Sequence, residues 1–227
     1  MTGVRFAFPA RMPRKNLILT DAFPYHVTNR SNNRENFYLD NSILWFIFLD
    51  CFEEIKKQFG CEIHSFVLMS NHYHLIISTP KRNLGEAMKY LHREVARKAN
   101  KQSGRINHFF GARYKWSIIN AENYYWNCVK YVFRNPIRAG ICKQVDDYYY
   151  SSLNHHPTSW KWNMCDWFHR DQPQIKLDHG WLNEPFQIEL EESIRLGLRR
   201  REFTPPPDSN KKRSYLDDLQ YEKGTVT

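Results

Sequence analysis

The chain has no apolar run near the ~20 residues that a membrane-spanning helix needs, and its mean hydropathy is −0.69. A membrane partner is therefore not expected. The opening stretch, MTGVRFAFPARMPRK, carries scattered charges and no sustained apolar core, so a secretory signal is not expected either. None of the five cysteines (Cys51, Cys61, Cys128, Cys142, Cys165) forms a CxxC pair. Odd in number and set in apolar or mixed surroundings, they read as reduced thiols, which points to the cytoplasm. Acidic residues are missing before Asp21, and no internal repeat is evident.

Base and aromatic side chains are in excess. Lys and Arg number 33 against 24 Asp and Glu, a formal charge of +9, and 15% of the 227 residues are aromatic. Positive charge draws polyanions and rings stack on unpaired bases, so nucleic acid is the first partner suggested. A hydrophobic share of 41% is enough for a buried core. Domains run ~100–200 residues, so the length fits one with appendages or two small ones.

Residues 1–20 read as an irregular basic arm. Residues 25–30, YHVTNR, are a strand candidate followed by a polar turn. Residues 41–59 carry Leu44, Ile47, Phe48, Cys51, Phe52 and Ile55 at helical spacing, with Asn41 or Ser42 as N-cap and Gly60 as the stop. Strands are expected at 62–69, 73–78 and 114–119, and a second helix at about 84–101. A third helix over 122–134 should end at Asn135-Pro136, because the residue before proline disfavours the α region. The order β-α-β-β-α-β is the split βαβ, ferredoxin-like plan: an α+β fold with a four-stranded antiparallel sheet and two helices on one face. The third helix is additional and the other face is free for a ligand or for it. Residues 151–227 read as a C-terminal extension, partly folded around Trp160, Trp162, Trp167 and Trp181. Its last ~20 residues, polar and poor in apolar side chains, are expected to be mobile.

The sharpest local feature is Asn71-His72-Tyr73-His74 at the head of an apolar strand. Side chains alternate along a strand, so His72 and His74 share a face with Ile76, while Tyr73, Leu75 and Ile77 turn to the helices. Two imidazoles on an uncovered face make half a metal site. Taken alone they fit hydrogen-bonded surface histidines as well, since two ligands do not define a metal. His64 is expected on the face of Phe66 and Leu68 as a structural histidine, and His155-His156 belongs to no motif.

In the third helix, Tyr124, Cys128, Tyr131 and Asn135 form one stripe. A core aromatic and a C-terminal cap would explain Tyr131 and Asn135. Alternatively, Tyr131 is a nucleophile and Asn135, one turn on, an oxygen donor to a metal. A phenol with a pKa near ~10 would then need cationic neighbours to act at neutral pH. Arg30, Arg34, Lys89, Arg93, Arg97, Arg113, Lys115, Arg134 and Arg138 could together track a polyanion, with affinity falling steeply with salt. Tyr114, Trp116, Phe6 and Phe8 could stack bases or, for the first two, belong to the core.

Three ordered segments, Tyr25-His-Val-Thr-Asn-Arg-Ser-Asn, Phe66-Val-Leu-Met-Ser-Asn-His-Tyr-His-Leu-Ile and Tyr131-Val-Phe-Arg-Asn-Pro-Ile-Arg-Ala-Gly, resemble the IS200-like transposase family. Within it they resemble the REP-associated tyrosine transposase branch of single-tyrosine, HUH-type endonucleases. The resemblance spans about residues 20–150, and suggests a domain at 21–150 between the basic arm and the extension. It implies His72, His74 and Asn135 as ligands of a divalent ion, Mg²⁺ or Mn²⁺, and Tyr131 as nucleophile. It also implies cleavage of single-stranded DNA beside a hairpin through a 5′-phosphotyrosine, by a monomer or a homodimer. The DNA contacts expected are Arg30, Arg34, Arg93, Arg97, Arg113, Lys115 and Arg138. Two places depart from the family pattern: Tyr73 is bulkier than usual between the histidines, and His108-Phe-Phe-Gly-Ala-Arg113 replaces a common Trp-Gln. A metal-dependent nuclease that uses water, and a non-catalytic nucleic-acid binder derived from a transposase, are the competing readings.

Overall fold

The computed structural model describes residues 16–106, 108–154, 176–204 and 225–226. The expectations for Phe6, Phe8, His155-His156, Cys165, Trp160, Trp162 and Trp167 lie outside these residues. Four strands, β1 (Tyr25–Arg30), β2 (Glu62–Leu68), β3 (His72–Ser78) and β4 (Lys115–Ile118), form one sheet in the order β2-β3-β1-β4. Every neighbouring pair is antiparallel, as the split βαβ plan requires. Helices α1 (Asn41–Phe59) and α2 (Leu84–Ser103) cover one face. Tyr73, Leu75 and Ile77 of β3 meet Phe48, Phe52 and Leu91 there, so the period-two pattern delivers its apolar side to the helices. Gly60 stops α1 in the left-handed region at φ 69°, and the N-cap is Asp40, one residue before the expected Asn41.

The other face receives α3 (Glu122–Arg138), packed through Val129 and Val132 with Ile76 and Val67. This helix does not stop at Arg134. It runs through Pro136 for four further residues. Proline removes the amide that would bond Val132 O, and the preceding side chain substitutes for it. Asn135 Nδ2 donates to Tyr131 O at 2.8 Å and reaches Val132 O at 3.5 Å. Gly140, at φ 70°, follows the last turn. The extra turn places Arg138 seven residues past Tyr131, on the same stripe.

His64 also departs from expectation. A β-bulge shifts the β2–β3 register between Ile63 and Ser65, so Phe66 and Leu68 stay on the α1/α2 face while His64 turns to α3. There His64 Nδ1 meets Tyr125 Oη at 2.8 Å and its Nε2 meets Ser78 Oγ at 3.0 Å. The role remains structural; the face is the opposite one.

Both sheet edges are covered, which removes exposed ladder groups that would otherwise template aggregation. Leu68 N donates to Tyr150 O and Ser152 N to Phe66 O along β2, while Ile118 N donates to Arg201 O and Phe203 N to Ile118 O along β4. The C-terminal segment contributes α4 (His179–Asn183) and α5 (Ile188–Gly197), whose Leu182 and Ile194 join the α3 core. Of the final ~20 residues expected to be mobile, the strand β6 (Thr225–Val226) pairs with β5 (Lys176–Leu177). Among the described residues no helix is long and apolar enough to cross a membrane. Cys51, Cys61 and Cys128 are buried and unpaired.

Cations hold α4 to α3. Arg134 Nη1 donates to Leu182 O and Asn183 O at 2.9 and 2.7 Å. The buried Lys130 ammonium lies 4.7 Å from the Trp181 ring and 5.1 Å from Phe186. Burial pulls the Lys130 pKa from 10.5 down to about 8, Glu184 opposing. Between those two values the unfolded chain binds the extra proton, so the contribution of Lys130 to stability rises with pH across the window. The difference in unfolding free energy between wild type and Lys130→Met should therefore shift in favour of wild type from pH 8 to pH 10 in urea titrations. A difference independent of pH would contradict this environment for Lys130.

Candidate active site

Strand β3 delivers the two histidines and β1, paired with it, the floor beside them: Arg30 stands opposite His72 and Thr28 opposite His74. His72 Nδ1 is 2.7 Å from Asn71 Oδ1, which leaves its Nε2 edge for the cavity. His74 Nδ1 is 2.9 Å from Nε2 of His26, a residue two places along β1 on the same face. His74 Nε2 is buried without a hydrogen-bond partner. Burial lowers the pKa of both: His72 falls to about 4, with Arg138 and Arg30 adding to the effect, and His74 falls well below its ordinary value. Both imidazoles are therefore neutral at pH 7 and carry lone pairs suited to a cation.

Helix α3 lays Tyr131 across this pair. Its ring stands edge-on to His74 with centroids 5.8 Å apart, and the Arg138 guanidinium lies 5.5 Å from its centre. Tyr131 is 4% exposed. Burial raises its pKa; Arg138 and Arg195 work against the rise and Glu191 with it. Arg138 is itself fixed from two sides, donating to Asn135 Oδ1 at 3.1 Å and facing Glu191 of α5 at 3.6 Å.

His72, His74 and Tyr131 line one cavity of about 370 Å³. Its walls hold seven cationic side chains, Arg30, Arg34, Arg113, Lys115, Arg138, Arg195 and Arg199, and no carboxylate. A concave site of one charge sign raises the local concentration of an anionic ligand. Of the expected DNA contacts, Arg30, Arg34, Arg113, Lys115 and Arg138 meet here. Arg93 and Arg97 do not: they project from α2, across the sheet, and both pair with Glu94, at 3.0 and 2.8 Å. Tyr114 is a buried core residue with no free stacking face, and Trp116 is half-buried, packed edge-on to Tyr25. Arg134 is spent on α4.

Asn135 is not among the cavity-lining residues. It is buried, its amide nitrogen bonded along its own helix and its oxygen accepting from Arg138. Among the described residues no group of three or more His, Cys, Asp or Glu is set to hold a metal. The donor set that the cavity itself offers is thus the two neutral imidazoles, while the Asn135 amide oxygen is engaged by Arg138.

Sequence reasoning missed His26, Arg195 and Arg199. Arg195 and Arg199 arrive from α5 and the turn after it. The segment shows a helical pattern with a basic end, but nothing in one dimension aims it at Tyr131.

The residues that depart from the family pattern touch each other. Tyr73 Oη is 2.6 Å from His92 Nε2 on α2, and the Phe110 ring packs 4.5 Å from His92 and 6.2 Å from Tyr73. Together they anchor the 109–113 segment that forms one cavity wall. Asn29 Nδ2 donates to Ala112 O and Gly111 N to Arg30 O.

A family model described as "Transposase IS200 like" matches residues 20–135. Among solved structures, a REP-associated tyrosine transposase bound to a REP hairpin superimposes with a TM-score of 0.53 at 19% identity. That match covers 67% of this chain and 93% of the other, and it supports the fold. A candidate transposase from Deinococcus radiodurans R1 matches with a TM-score of 0.34 at 21% identity, over 47% of this chain and 83% of its own. No curated protein sequence matches the chain.

The cavity wall leaves no room at Gly111, where a Cβ would stand 2.7 Å from Ser31 O and 3.0 Å from Asn32 Cα. Both contacts are backbone, so no side chain can swing away. Gly111→Ala should cost roughly 1–3 kcal/mol of stability, as overpacking does, read as a lower midpoint in urea unfolding. An unchanged midpoint would mean that the wall is not packed in this way.

Proposed function

The chain belongs to the IS200-like transposase family, and we propose that it cuts and rejoins single-stranded DNA through Tyr131. The observation that carries this reading is the convergence of Tyr131, His72 and His74 on one cavity lined by seven cations. A buried phenol with no base beside it would be a poor nucleophile. Here Arg138 and Arg195 favour the phenolate electrostatically, and an entering phosphate would meet the same charges. Tyr131 Oη would attack phosphorus, the bond to the 3′ oxygen would break, and the strand would leave with a free 3′-OH. The 5′-phosphotyrosine keeps the energy of the broken ester, so a second 3′-OH can reverse the step without ATP.

The family resemblance calls for a divalent ion, Mg²⁺ or Mn²⁺. The unpartnered His74 Nε2 and the open Nε2 edge of His72 fit two of its ligands. Asn135 would add its oxygen, which accepts from Arg138 and retains a second lone pair. Bound there, the ion would polarise the scissile phosphate; imidazole donors leave manganese as open as magnesium.

Phosphates would be gripped by Arg30, Arg34, Arg113 and Lys115 from the sheet side and by Arg195 of α5 and Arg199 of the turn after it. Backbone contacts of this kind position a strand without reading its sequence. A hairpin-flanked substrate, of the REP type, is suggested by the solved relative that carries a REP hairpin. In this reading residues 21–150 are the catalytic domain, and the extension beyond them contributes the α5 arginines to its groove. The buried, unpaired cysteines suit a reducing compartment, the cytoplasm.

The test is a denaturing gel of end-labelled single-stranded hairpin DNA from beside the gene, incubated with Mn²⁺ or Mg²⁺. Wild type should give a protein-linked band that Tyr131→Phe and His72→Ala both lose. Cleavage that survives Tyr131→Phe would mean that water attacks, and Tyr131 would then be structural.

A further inference from the structure

We propose that His26 is a positioning residue: it accepts the Nδ1–H of His74 and so turns the His74 Nε2 lone pair into the cavity. The inference rests on the metal-binding reading of that cavity and concerns a residue that touches neither substrate nor ion. His26 and His74 are diagonal neighbours across the β1–β3 ladder, with Nε2 and Nδ1 2.9 Å apart and rings at 29°. Both are nearly excluded from solvent. Two neutral imidazoles in contact share one proton, so the bond exists in only two forms. In one, His74 donates from Nδ1 and presents a bare Nε2 to the cavity. In the other, His26 donates from Nε2, and His74 presents an N–H that repels a cation.

The pair alone does not choose, because each form leaves one buried donor and one buried acceptor at the outer nitrogens, His26 Nδ1 and His74 Nε2. A cation in the cavity does. On the outer side of His26 stands Ser117, directly opposite in the β1–β4 register, its buried hydroxyl also without a partner. A hydroxyl can donate or accept, so Ser117 suits either form. A bare His74 Nε2 gains what it lacks from a cation, whereas an N–H there repels one. The loaded site therefore selects the form with the proton on His74 Nδ1. A histidine ligand is commonly oriented by such a bond to its other ring nitrogen, and losing the partner weakens metal binding by about 10–100-fold.

The first arm is long-range ¹H–¹⁵N NMR of histidine-labelled protein in saturating Mg²⁺. His74 should show Nδ1 protonated and Nε2 bare, and a protonated Nε2 would overturn the proposal. The second arm is Mn²⁺ binding read by electron paramagnetic resonance, without DNA. His26→Ala should bind about 10–100-fold more weakly than wild type, and His26→Gln, whose amide oxygen can accept the same proton, should recover most of the loss. Equal binding by wild type and His26→Ala would overturn the proposal. His26→Gln also guards against misfolding of the alanine variant: a folded glutamine variant that binds no better than alanine counts against it as well. Wild type that binds no Mn²⁺ would sink the metal reading of the cavity, while the NMR arm would still decide the tautomer.

Discussion

The two-sidedness of β3 is the constraint on which the rest depends. Because successive side chains leave opposite faces, Tyr73, Leu75 and Ile77 can be buried under α1 and α2 only if His72, His74 and Ile76 face the other way. A slip of one residue would put both imidazoles into an apolar core, at a cost that burial of unpaired polar groups makes prohibitive. The register of β3 is thus fixed by hydrophobic burial, and the histidine face is its by-product. Ile76 then gives α3 an apolar foothold on that face, and the foothold sets how far along the sheet Tyr131 lies.

From there the site is assembled by devices that each solve a local backbone problem. The Asn135 side chain bonds Tyr131 O and reaches Val132 O, the carbonyl that Pro136 leaves open, and the helix continues far enough to carry Arg138 over Tyr131. Residues 201–203 cover the β4 edge, and α5, just before them, brings Arg195 and Arg199 to the cavity. The cationic walls and the neutral histidines belong together. Burial, and after it the neighbouring arginines, disfavour protonation of the imidazoles, so charge stays on groups that can hold phosphate and lone pairs stay on groups that can hold a metal.

Much of this was legible in one dimension, and the exceptions have physical reasons. The strand order, the α1–α2 layer and the shared face of His72 and His74 follow from periodicity, because burial enforces it. Periodicity puts His64 on the wrong face because a bulge adds one residue without leaving a mark in the hydrophobic pattern. Asn135-Pro136 ends α3 four residues early on paper, since the rule against helix before proline takes no account of a side chain that replaces the lost donor. Arg93 and Arg97 look like Arg30 and Arg113 in sequence. What separates them is the sheet between, and the Glu94 that pairs with both. Arg195, Arg199 and the His26–His74 contact are tertiary facts: the first two come from ~60 residues beyond Tyr131, and the third depends on which diagonal neighbours meet across a strand pair.

Tyr131 Oη, held edge-on to His74 among arginines, is the proposed point of attachment to DNA. Protease digestion of the trapped protein–DNA complex, followed by mass spectrometry of the nucleotide-bearing peptide, tests it most directly. The account predicts a 5′-linked nucleotide on the peptide containing Tyr131 and on that side chain alone. A nucleotide on Tyr148, Tyr149 or Tyr150, or cleaved DNA with no adduct on any tyrosine, would contradict it.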